Sequence, residues 1–575
     1  MERVGGTTPV RVPRHLPTRW DAGWFATKAC LLRLQRAFRD LRNGPRRHVR
    51  TPALADAPIL AASTAALWTV DDDDALLTAG KVQNLRAAAH GLHGVVVPAG
   101  QVLGFWKQVG RATRDRGFVV GRELREGCLV PSVGGGLCQL SNALYDAALL
   151  AGLEVVERHA HSRIVPGSQS VQGRDATVFW NYVDLRLRGA QAWRIEVDMD
   201  AQTLRVVIRG LEPAAVRPAA VVPEAPIALA KANACHTCDG VGCWRHARAE
   251  PLHAHRTWIR TTDEWPEFAA DRAARCVPAD RVLTLGNDHA LLPLRLWRRW
   301  RQRGLPLPQR RLADAERQAR LLAGQLHFTD CRLVIPQALL VPWWRVGMLA
   351  GRRFEVAMTA LPAAALQARL DQAADRHGDS RTLVDFRVDA TWLADEAAAL
   401  ARADAWITPH HGILHLAGKA GVALPWRVPT PALLPARLRR PTGPGLWVLL
   451  PASPLARKGI HALRTALQGS DSLLLLPPGA QESPGFWTGC QVRHVESLEA
   501  GIAQADVVVL PAWVEHQPRG LLLAMANDRP VIATAACGLP VDGRWHEVPA
   551  GDAEALKGAL AALTQRRRVA QPEPA

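Results

Sequence analysis

Short apolar runs alternate with alanine- and leucine-rich stretches from about residue 255 to the carboxyl end of the chain. The runs are mostly apolar on both sides, which is typical of parallel strands covered by helices. We therefore predict two open α/β domains of the Rossmann type in tandem, separated by the proline-rich segment 428–444. The predicted strands lie at 282–285, 332–336, 354–358, 405–408, 446–450, 473–476, 506–510 and 531–534.

Residues 80–210 predict a separate domain of mixed α/β type. Apolar residues recur at helical spacing over 140–151, and short strand-like runs lie on either side of this helix. The stretch 212–228 that follows is rich in proline and alanine, which is the composition of a linker. The predicted strands of this domain are 94–98, 153–156, 176–180, 193–198 and 204–208.

The first 50 residues form a basic segment with helical spacing of its apolar residues. Such a helix either lies on an anionic membrane surface or packs on the protein with its cationic face in solvent. The sequence favours the second arrangement. The apolar positions are Phe25, Ala29, Leu32, Phe38 and Leu41, and the cations between them are Lys28, Arg33, Arg36, Arg39 and Arg42.

Composition narrows the classes of function. The 575 residues predict three or four domains, and 48% apolar with 22% charged residues exclude a wholly disordered chain. The net charge of +18 favours anionic partners, but the arginines are scattered, as in proteins of biased genomic composition, and this argues against nucleic acid. The sequence shows neither an apolar run of about 18 residues nor an apolar leader. We therefore expect a cytoplasmic protein, or one peripheral on the inner membrane face, with its ten cysteines mostly reduced.

Three glycines precede Cys138, which lies in the first turn of the predicted helix. The positive end of a helix dipole favours the thiolate form of a cysteine at that position. His159 and His161 have a spacing that places both on one face of a following strand, and Asp175 offers a carboxylate to orient an imidazole. This pattern predicts thiol-dependent acyl transfer, with Cys138 as nucleophile and His161 or His159 as base. The alternative is a small buried cysteine beside a structural turn.

Residues of this domain resemble the VanW-like family, named for an accessory protein of vancomycin resistance. The resemblance spans about 80–210 and implies a connection with the cell envelope. The glycine–cysteine–helix pattern also resembles a degraded transglutaminase-type thiol site, which would assign the same roles to Cys138, His161 and Asp175. The matching segments are 81–86, 97–102, 133–139, 144–145, 151–153, 157–159, 161–162 and 173–175.

A cysteine–histidine cluster follows the linker, with Cys235, Cys238, Cys243 and His246 at metal-ligand spacing. Thiolate and imidazole ligands at these distances along the chain can surround one tetrahedral ion, so a zinc knuckle is predicted. An iron–sulfur cluster and a redox pair at Cys235 and Cys238 are the alternatives.

Residues 444–560 resemble the nucleotide-sugar-binding half of two-lobed glycosyltransferases of the GT-B kind. The matching segments are 447–463, 505–511 and 515–534. The resemblance implies that Lys458, Arg457 and Gly459 hold the donor diphosphate and that Glu515 contacts the donor. Leu523 stands where the family has a second glutamate, and Ser453 where it has an arginine. The segment 408–412 either lines the cleft or caps a helix with buried histidines.

Three functions are compatible with these patterns. The first is a VanW-like protein fused to a glycosyltransferase-like module that passes sugar from a nucleotide-sugar to an envelope glycan or lipid-linked acceptor. The second is a catalytically degenerate glycosyltransferase fold used for binding, with thiol chemistry at Cys138, and the third is a non-enzymatic envelope scaffold. The expected parts are a basic helical segment (1–75), the VanW-like domain (76–211), a linker (212–232), the knuckle (233–254), a first Rossmann-like lobe on the acceptor side (255–430), a second on the nucleotide-sugar side (431–565) and a tail (566–575).

Overall fold

The chain divides into two compact units. The first comprises Met1–Ala254 with His327–Cys331 and Leu349–Arg352, and the second comprises His255–Leu326, Arg332–Met348 and Arg353–Ala575. The computed structural model describes residues 18–68, 75–125, 128–161, 174–211, 233–234, 256–261, 264–284, 307–384, 386–429, 445–479, 482–540 and 542–570.

The first unit is of mixed α/β type. Its helices are α1 (Arg19–Asn43), α2 (Ala75–Leu92), α3 (Phe105–Val109) and α4 (Cys138–Leu150). Its strands are β1 (Ile59–Ala66), β2 (Val95–Val97), β3 (Val102–Gly104), β4 (Val120–Arg125), β5 (Cys128–Val133), β6 (Glu154–Glu157), β7 (Arg186–Arg188), β8 (Trp193–Met199), β9 (Thr203–Gly210) and β10 (Asn233–Ala234). They form an antiparallel sheet of order β1-β9-β8-β2 and two smaller sheets, β10-β5-β4 and β3-β7-β6.

The second unit contains two parallel six-stranded sheets. The first sheet has the order β12-β11-β13-β14-β15-β16 and the second β19-β18-β17-β20-β21-β22. The strands are β11 (Thr257–Arg260), β12 (Arg281–Thr284), β13 (Arg332–Pro336), β14 (Arg353–Ala357), β15 (Ala405–Thr408), β16 (Gly421–Ala423), β17 (Trp447–Leu449), β18 (Leu473–Leu476), β19 (Gln491–His494), β20 (Val507–Leu510), β21 (Val531–Ala533) and β22 (His546–Glu547). The helices are α5 (Pro266–Arg275), α6 (Leu307–Ala323), α7 (Gln337–Arg345), α8 (Ala363–Arg376), α9 (Ala390–Ala401), α10 (His411–Ala417), α11 (Ile460–Leu467), α12 (Leu498–Gln504), α13 (Arg519–Ala526) and α14 (Ala553–Ala570).

The alternation of strands and helices confirms the expected fold class of the second unit. Every residue of the central strands β17 and β20 is buried, as expected for parallel strands with helices on both faces. We call the part with β11–β16 the first lobe and the part with β17–β22 the second lobe. Both are Rossmann-like, and the carboxyl ends of their strands are where such folds bind ligands.

One predicted strand of the first unit is wrong. Residues 176–180 form no strand, and only Phe179 makes an isolated bridge, with Val183. The backbone of Ala176 is bonded instead by side chains of α4, so its polar groups are satisfied without a sheet partner. The other four strands predicted for this domain correspond to β2, β6, β8 and β9.

Helix α1 reverses the arrangement that the sequence favours. Its buried positions include Ala29 and Arg36, whereas Phe38 and Leu41 are 71% and 80% exposed. The prediction of a solvated cationic face and a packed apolar face is therefore wrong for this helix. Periodicity identifies two faces of a helix but does not say which one meets the protein.

Candidate functional site

The loop before Cys138 depends on glycine. Gly134 and Gly136 have positive φ angles of 79° and 97°, a region that other residues adopt only with strain. A Cβ atom at Gly136 would also overlap the side chain of Lys81, which is buried and donates to the carbonyl of Leu67 at 2.5 Å. These constraints place Cys138 as the first residue of α4.

Asn84 fixes the same loop from α2. Its buried side chain donates to the carbonyls of Gly135 and Val119 at 2.9 and 3.0 Å and accepts from the Val119 amide at 2.8 Å. Asn84 was not predicted to have a role, although it lies in the segment 81–86, one of those that carry the VanW resemblance.

Helix α4 positions the segment that faces the thiol. Ser141 donates to the carbonyl of Ala176 at 2.6 Å, and the Asn142 side chain accepts from the Ala176 amide at 2.8 Å. Two residues further on, the carbonyl of Val178 lies 3.7 Å from Cys138 Sγ and accepts its hydrogen bond. The cysteine and the residues opposite it are thus held by one helix.

His161 and Asp175 meet beside this cysteine. The ring Nδ1 of His161 lies 2.9 Å from Asp175 Oδ2, and the His161 amide donates to the same oxygen at 2.6 Å. Arg158 was not predicted as a site residue, yet it donates to Asp175 Oδ1 at 2.9 Å and to the Asp175 carbonyl at 2.7 Å. Asp175 is 5% exposed, and hydrogen bonds from His161 and Arg158 hold its carboxylate in place.

The electrostatics of this group favour a protonated imidazole. Burial lowers the pKa of His161, but hydrogen bonds with the side chains of Asp175 and Cys138 outweigh it and raise the pKa to about 9. Burial raises the pKa of Asp175, but the hydrogen bonds from His161 outweigh burial, so the pKa lies below the ordinary value. At neutral pH an imidazolium therefore lies between a carboxylate and a sulfur, the arrangement that thiol-dependent enzymes use.

The structure does not bring His159 into this group. Its ring lies 3.1 Å from Glu157 Oε1, and its side chain is 47% exposed. The prediction that both histidines lie on one face of a strand is wrong, because β6 ends at Glu157 and both histidines follow it. Of the two histidines, only His161 contacts the thiol of Cys138.

In the second lobe, Lys458, Gly459 and Glu515 lie together beyond the ends of β17 and β20. Gly459 has a φ of 77° and is the N-cap of α11; a Cβ atom there would overlap the carbonyl of Pro511. Lys458 Nζ lies 2.8 Å from Glu515 Oε2 and 3.2 Å from the Val514 carbonyl. A partly buried cation and a helix N-terminus at this end of the sheet can bind phosphate groups.

Arg457 points elsewhere. Its guanidinium carbon lies 5.3 Å from the ring centroid of Phe386, a first-lobe residue, while its carbonyl accepts from the amides of Trp513 and Val514 at 3.0 and 3.2 Å. The arginine thus orders the backbone that carries Glu515. The side chain lies on an aromatic ring rather than beside Lys458.

Two histidines of the cleft are neutral. Nδ1 of His410 accepts from the Ile413 amide at 3.3 Å, so Nε2 donates to the Glu515 carbonyl 2.9 Å away. Burial lowers the pKa of His410, and burial together with the nearby His410 and Lys458 lowers the pKa of His516 to about 3. His516 Nε2 accepts from the Leu361 amide at 3.2 Å. His410 caps α10 and is fully buried, which is the helix-cap alternative of the sequence analysis, whereas His411 is exposed.

Further contacts join the two lobes. Arg519, at the start of α13, forms two hydrogen bonds of 2.7 and 2.6 Å with Glu267 of α5, and its guanidinium lies over the rings of Trp265 and Trp426. Glu482 of the second lobe accepts from the Thr382 hydroxyl at 2.5 Å and from the Ala456 amide at 2.9 Å. None of these residues was predicted from the sequence to have a role.

The first lobe contains an aromatic cavity at the carboxyl ends of its strands. The cavity volume is about 40 Å³. Three aromatic rings, two carboxylates and the last residues of β13 and β14 are part of its wall, the rings and carboxylates being Trp258, Trp265, Phe268, Glu264 and Asp271. Aromatic faces with a few polar groups are typical of small-molecule sites.

Two positions where the second lobe departs from the glycosyltransferase pattern are structural here. Leu523 lies on α13, is 9% exposed and packs in the hydrophobic core of the second unit. Ser453 lies so close to Gly479 that a Cβ atom at the glycine would be 2.8 Å from its hydroxyl. Neither side chain replaces the charge that the family carries at that position.

The metal prediction falls on residues that the structure does not describe. Cys235, Cys238, Cys243 and His246 all lie outside the described ranges. Within the described ranges, no group of three or more His, Cys, Asp or Glu side chains could hold a metal ion. The free cysteines are Cys30, Cys138, Cys276, Cys331, Cys490 and Cys537. Of the helices that the structure describes, none has the length and apolar character needed to cross a bilayer.

Sequence comparison identifies relatives of the first unit. Vancomycin B-type resistance protein VanW of Enterococcus faecalis is 33% identical over 120 residues, and the uncharacterized protein YoaR of Bacillus subtilis is 37% identical over 105 residues. The matches cover 20% and 18% of this chain. The chain spans 43% and 34% of the length of these two relatives.

Structure comparison finds two-lobed glycosyltransferases. Sucrose-phosphate synthase of Thermosynechococcus elongatus is 17% identical with a TM-score of 0.35, covering 56% of this chain and 90% of the other. Anabaena HepE, solved with UDP-glucose, is 13% identical with a TM-score of 0.32, covering 55% and 91%.

Family models assign the two parts of the chain. Residues 80–209 match the model described as VanW like protein, and residues 437–566 match that of glycosyl transferases group 1. The thiol group lies within the first match, and Lys458, Gly459 and Glu515 lie within the second. Residues 80–209 thus form a VanW-like domain, and the second lobe, within a unit of two Rossmann-like sheets, is similar to glycosyl transferases group 1.

Proposed function

We propose that the second unit transfers a sugar from a nucleotide-sugar to an acceptor of the bacterial cell envelope. The observation that supports this most is the meeting of Lys458, the N-terminus of α11 and Glu515 at the carboxyl ends of β17 and β20. In the reaction, the bond from the anomeric carbon to the diphosphate breaks and a bond to an acceptor hydroxyl oxygen forms. The acceptor proton leaves with the nucleoside diphosphate.

In this proposal, donor binding breaks the ion pair between Lys458 and Glu515. Lys458 is 16% and Glu515 12% exposed, and they neutralise each other in the absence of donor. A diphosphate attracts Lys458 and releases the carboxylate to accept hydrogen bonds from the sugar or ribose. Leu523 and Ser453 remove two further donor contacts, so we expect weak donor binding. A lobe that binds the donor without turnover is the alternative.

The cavity of the first lobe is the proposed acceptor site. Trp258, Trp265 and Phe268, which are 3%, 9% and 8% exposed, form its apolar wall. Glu264 and Asp271, paired with Arg272 and Arg275, are the polar groups that an acceptor hydroxyl would contact. An envelope glycan or a lipid-linked sugar fits this combination. A lipid-linked acceptor would require contact of the protein with an anionic membrane.

Calorimetry of the full chain with UDP and UDP-glucose tests the donor site. We expect the Lys458→Ala variant to lose about tenfold or more in affinity, since a charge-assisted contact with the diphosphate is removed. Lys419→Ala is the matched control, because Lys419 is exposed in a loop of the first lobe. Absence of binding by the unaltered chain to every nucleotide-sugar tried, or equal binding by both variants, would refute the donor site.

A second candidate function is thiol-dependent acyl transfer by the VanW-like domain. It is favoured by the contact of Cys138 with His161 and of His161 with Asp175. The sulfur would attack a carbonyl carbon, the imidazolium would protonate the leaving group, and an acceptor nucleophile would then release the acyl group from sulfur. Mass spectrometry after brief treatment with iodoacetamide at mildly acidic pH tests this. We expect Cys138 to react first and His161→Gln to slow it; equal rates would contradict the proposal.

We also propose that Cys235, Cys238, Cys243 and His246 hold one structural zinc ion. The support is their spacing along the chain, which suits a tetrahedral ion. Emission spectrometry should find about one zinc per chain, and Cys238→Ser should lower it. Iron with sulfide would favour the cluster instead, and a metal-free chain would refute the site.

A further inference from the structure

Helix α1 attaches to the VanW-like domain through charged side chains. Arg33 donates to the carbonyl of Trp180 at 2.8 Å, and Arg36 pairs with Glu157. Asp40 accepts two hydrogen bonds from Arg186, of 2.7 and 2.6 Å. The domain-facing side of α1 therefore carries these charged contacts together with buried Ala29 and with Phe25, whose ring centroid lies 5.9 Å from that of Phe179.

The opposite side of α1 is apolar and exposed. At about 100° per residue, Trp20, Leu31 and Phe38 lie within about 20° of one another and about 140–180° from Arg36 and Ala29. Large apolar side chains flank them on both sides. We call these six residues the apolar stripe: Trp20 (89% exposed), Trp24 (63%), Leu31 (62%), Leu34 (54%), Phe38 (71%) and Leu41 (80%).

This orientation is the reverse of that of an ordinary surface helix, whose apolar side meets the core. A contiguous row of exposed tryptophan, leucine and phenylalanine side chains marks a surface that another phase or molecule covers. The ion pairs on the other side hold the helix in this orientation. The stripe is therefore presented outward by specific contacts.

Cations accompany the apolar stripe. Lys28, Arg39 and Arg42 are exposed on its border, and Lys28 lies 5.0 Å from the ring centroid of Trp24. Asp40 is on the other side of the helix, where Arg186 neutralises it. Tryptophan, leucine and phenylalanine beside lysine and arginine are characteristic of helices that lie in the interface of an anionic bilayer.

We propose that α1 binds the surface of a membrane that contains anionic lipid, with the apolar stripe in the boundary between headgroups and acyl chains. A second copy of this chain fits the stripe less well, because pairing two such helices would bring like charges together. The proposal gives residues to the membrane contact included in the proposed function. It does not require sugar transfer, so calorimetry with nucleotide-sugars and binding to vesicles fail independently.

Vesicle flotation of the full chain tests this proposal. We expect the chain to float with phosphatidylcholine vesicles that contain phosphatidylglycerol and to float far less with phosphatidylcholine alone. The triple variant Leu31→Ser, Phe38→Ser, Leu41→Ser should bind on the order of 100-fold more weakly, since three apolar side chains no longer enter the bilayer. Arg39→Glu with Arg42→Glu should weaken binding roughly tenfold.

Val384→Ser is the matched control, because Val384 is 69% exposed and belongs to the second unit. The substituted positions are exposed, so circular dichroism should show an unchanged fold. Absence of flotation, equal flotation with neutral vesicles, or flotation unaffected by the triple variant would overturn the proposal. So would a dimer in light scattering that the triple variant dissociates while the unaltered chain leaves vesicles unbound.

Discussion

Replacing Asp175 by asparagine should remove the interaction that keeps His161 protonated. Burial alone lowers the pKa of His161 below its ordinary value of 6.5, and hydrogen bonds with Asp175 and Cys138 raise it to about 9. At about 1.4 kcal/mol per pKa unit, the difference between these two values corresponds to about 3 kcal/mol in favour of the folded, protonated state. Because the His161 side chain is 17% exposed, solvent screens little of this contribution.

The sign of the pH dependence follows from the direction of the change. The pKa of His161 is higher in the folded state than in the unfolded state, so the stabilisation is complete below pH 6.5 and is lost as the pH rises through 9. Between these limits the unaltered chain should lose up to about 3 kcal/mol of unfolding free energy from this residue. Asp175→Asn should be less stable at pH 6 and should lack this loss.

Two measurements check the prediction. NMR of chains with labelled histidine, assigned with His161→Gln, should give a midpoint near pH 9 that falls in Asp175→Asn, since only the contact with Cys138 then opposes the effect of burial. Urea unfolding at pH 6 and 9.5 gives the free energies. Asp115→Asn serves as the control, because Asp115 is exposed. A midpoint near 6.5 in the unaltered chain, or one that Asp175→Asn leaves unchanged, would refute the reasoning.

Three further predictions concern other positions. Gly136→Ala should destabilise the first unit by about 2 kcal/mol or more, because a positive φ and contact with Lys81 both oppose a Cβ atom; thermal unfolding measures this. Glu267→Gln should cost the second unit about 3 kcal/mol in urea unfolding at pH 7, since it leaves Arg519 without its carboxylate, and a change below about 0.5 kcal/mol would contradict the contact. His516, whose pKa is lowered to about 3, should destabilise the second unit as the pH falls below 6.5, by up to about 1.4 kcal/mol per pH unit; His516→Gln should flatten this slope.

The apolar runs of the second unit predicted eight of its twelve described strands, and β11, β16, β19 and β22 were not predicted. Segments 332–336, 405–408 and 473–476 coincide with β13, β15 and β18. These strands are largely buried on both faces, so nearly every position is apolar. Such continuous apolar runs are easy to recognise in a sequence. Their order, and the lobe contacts made by Glu267 and Glu482, depend on residues far apart in the chain, which periodicity does not detect.

The first unit was harder to predict because side chains replace ladder hydrogen bonds there. Residues 176–180 have strand-like composition, but Ser141 and Asn142 bind the backbone of Ala176. The same irregular path separates His159 from His161. The types of residue at the thiol site were thus predictable, whereas the choice between two histidines required the fold.

The carboxylate of Glu267 accepts a hydrogen bond from the Arg427 amide at 2.7 Å in addition to those from Arg519. Replacing Glu267 therefore removes its hydrogen bonds with both Arg427 and Arg519. Replacing Arg519 instead leaves the Glu267 carboxylate without its cation, beside Trp265 and Trp426. Descendants of this gene should accordingly exchange the acid and the arginine together or keep both. A chimera that joins the second lobe to the first lobe of another two-lobed enzyme should be unstable unless that first lobe carries a glutamate at the position of Glu267.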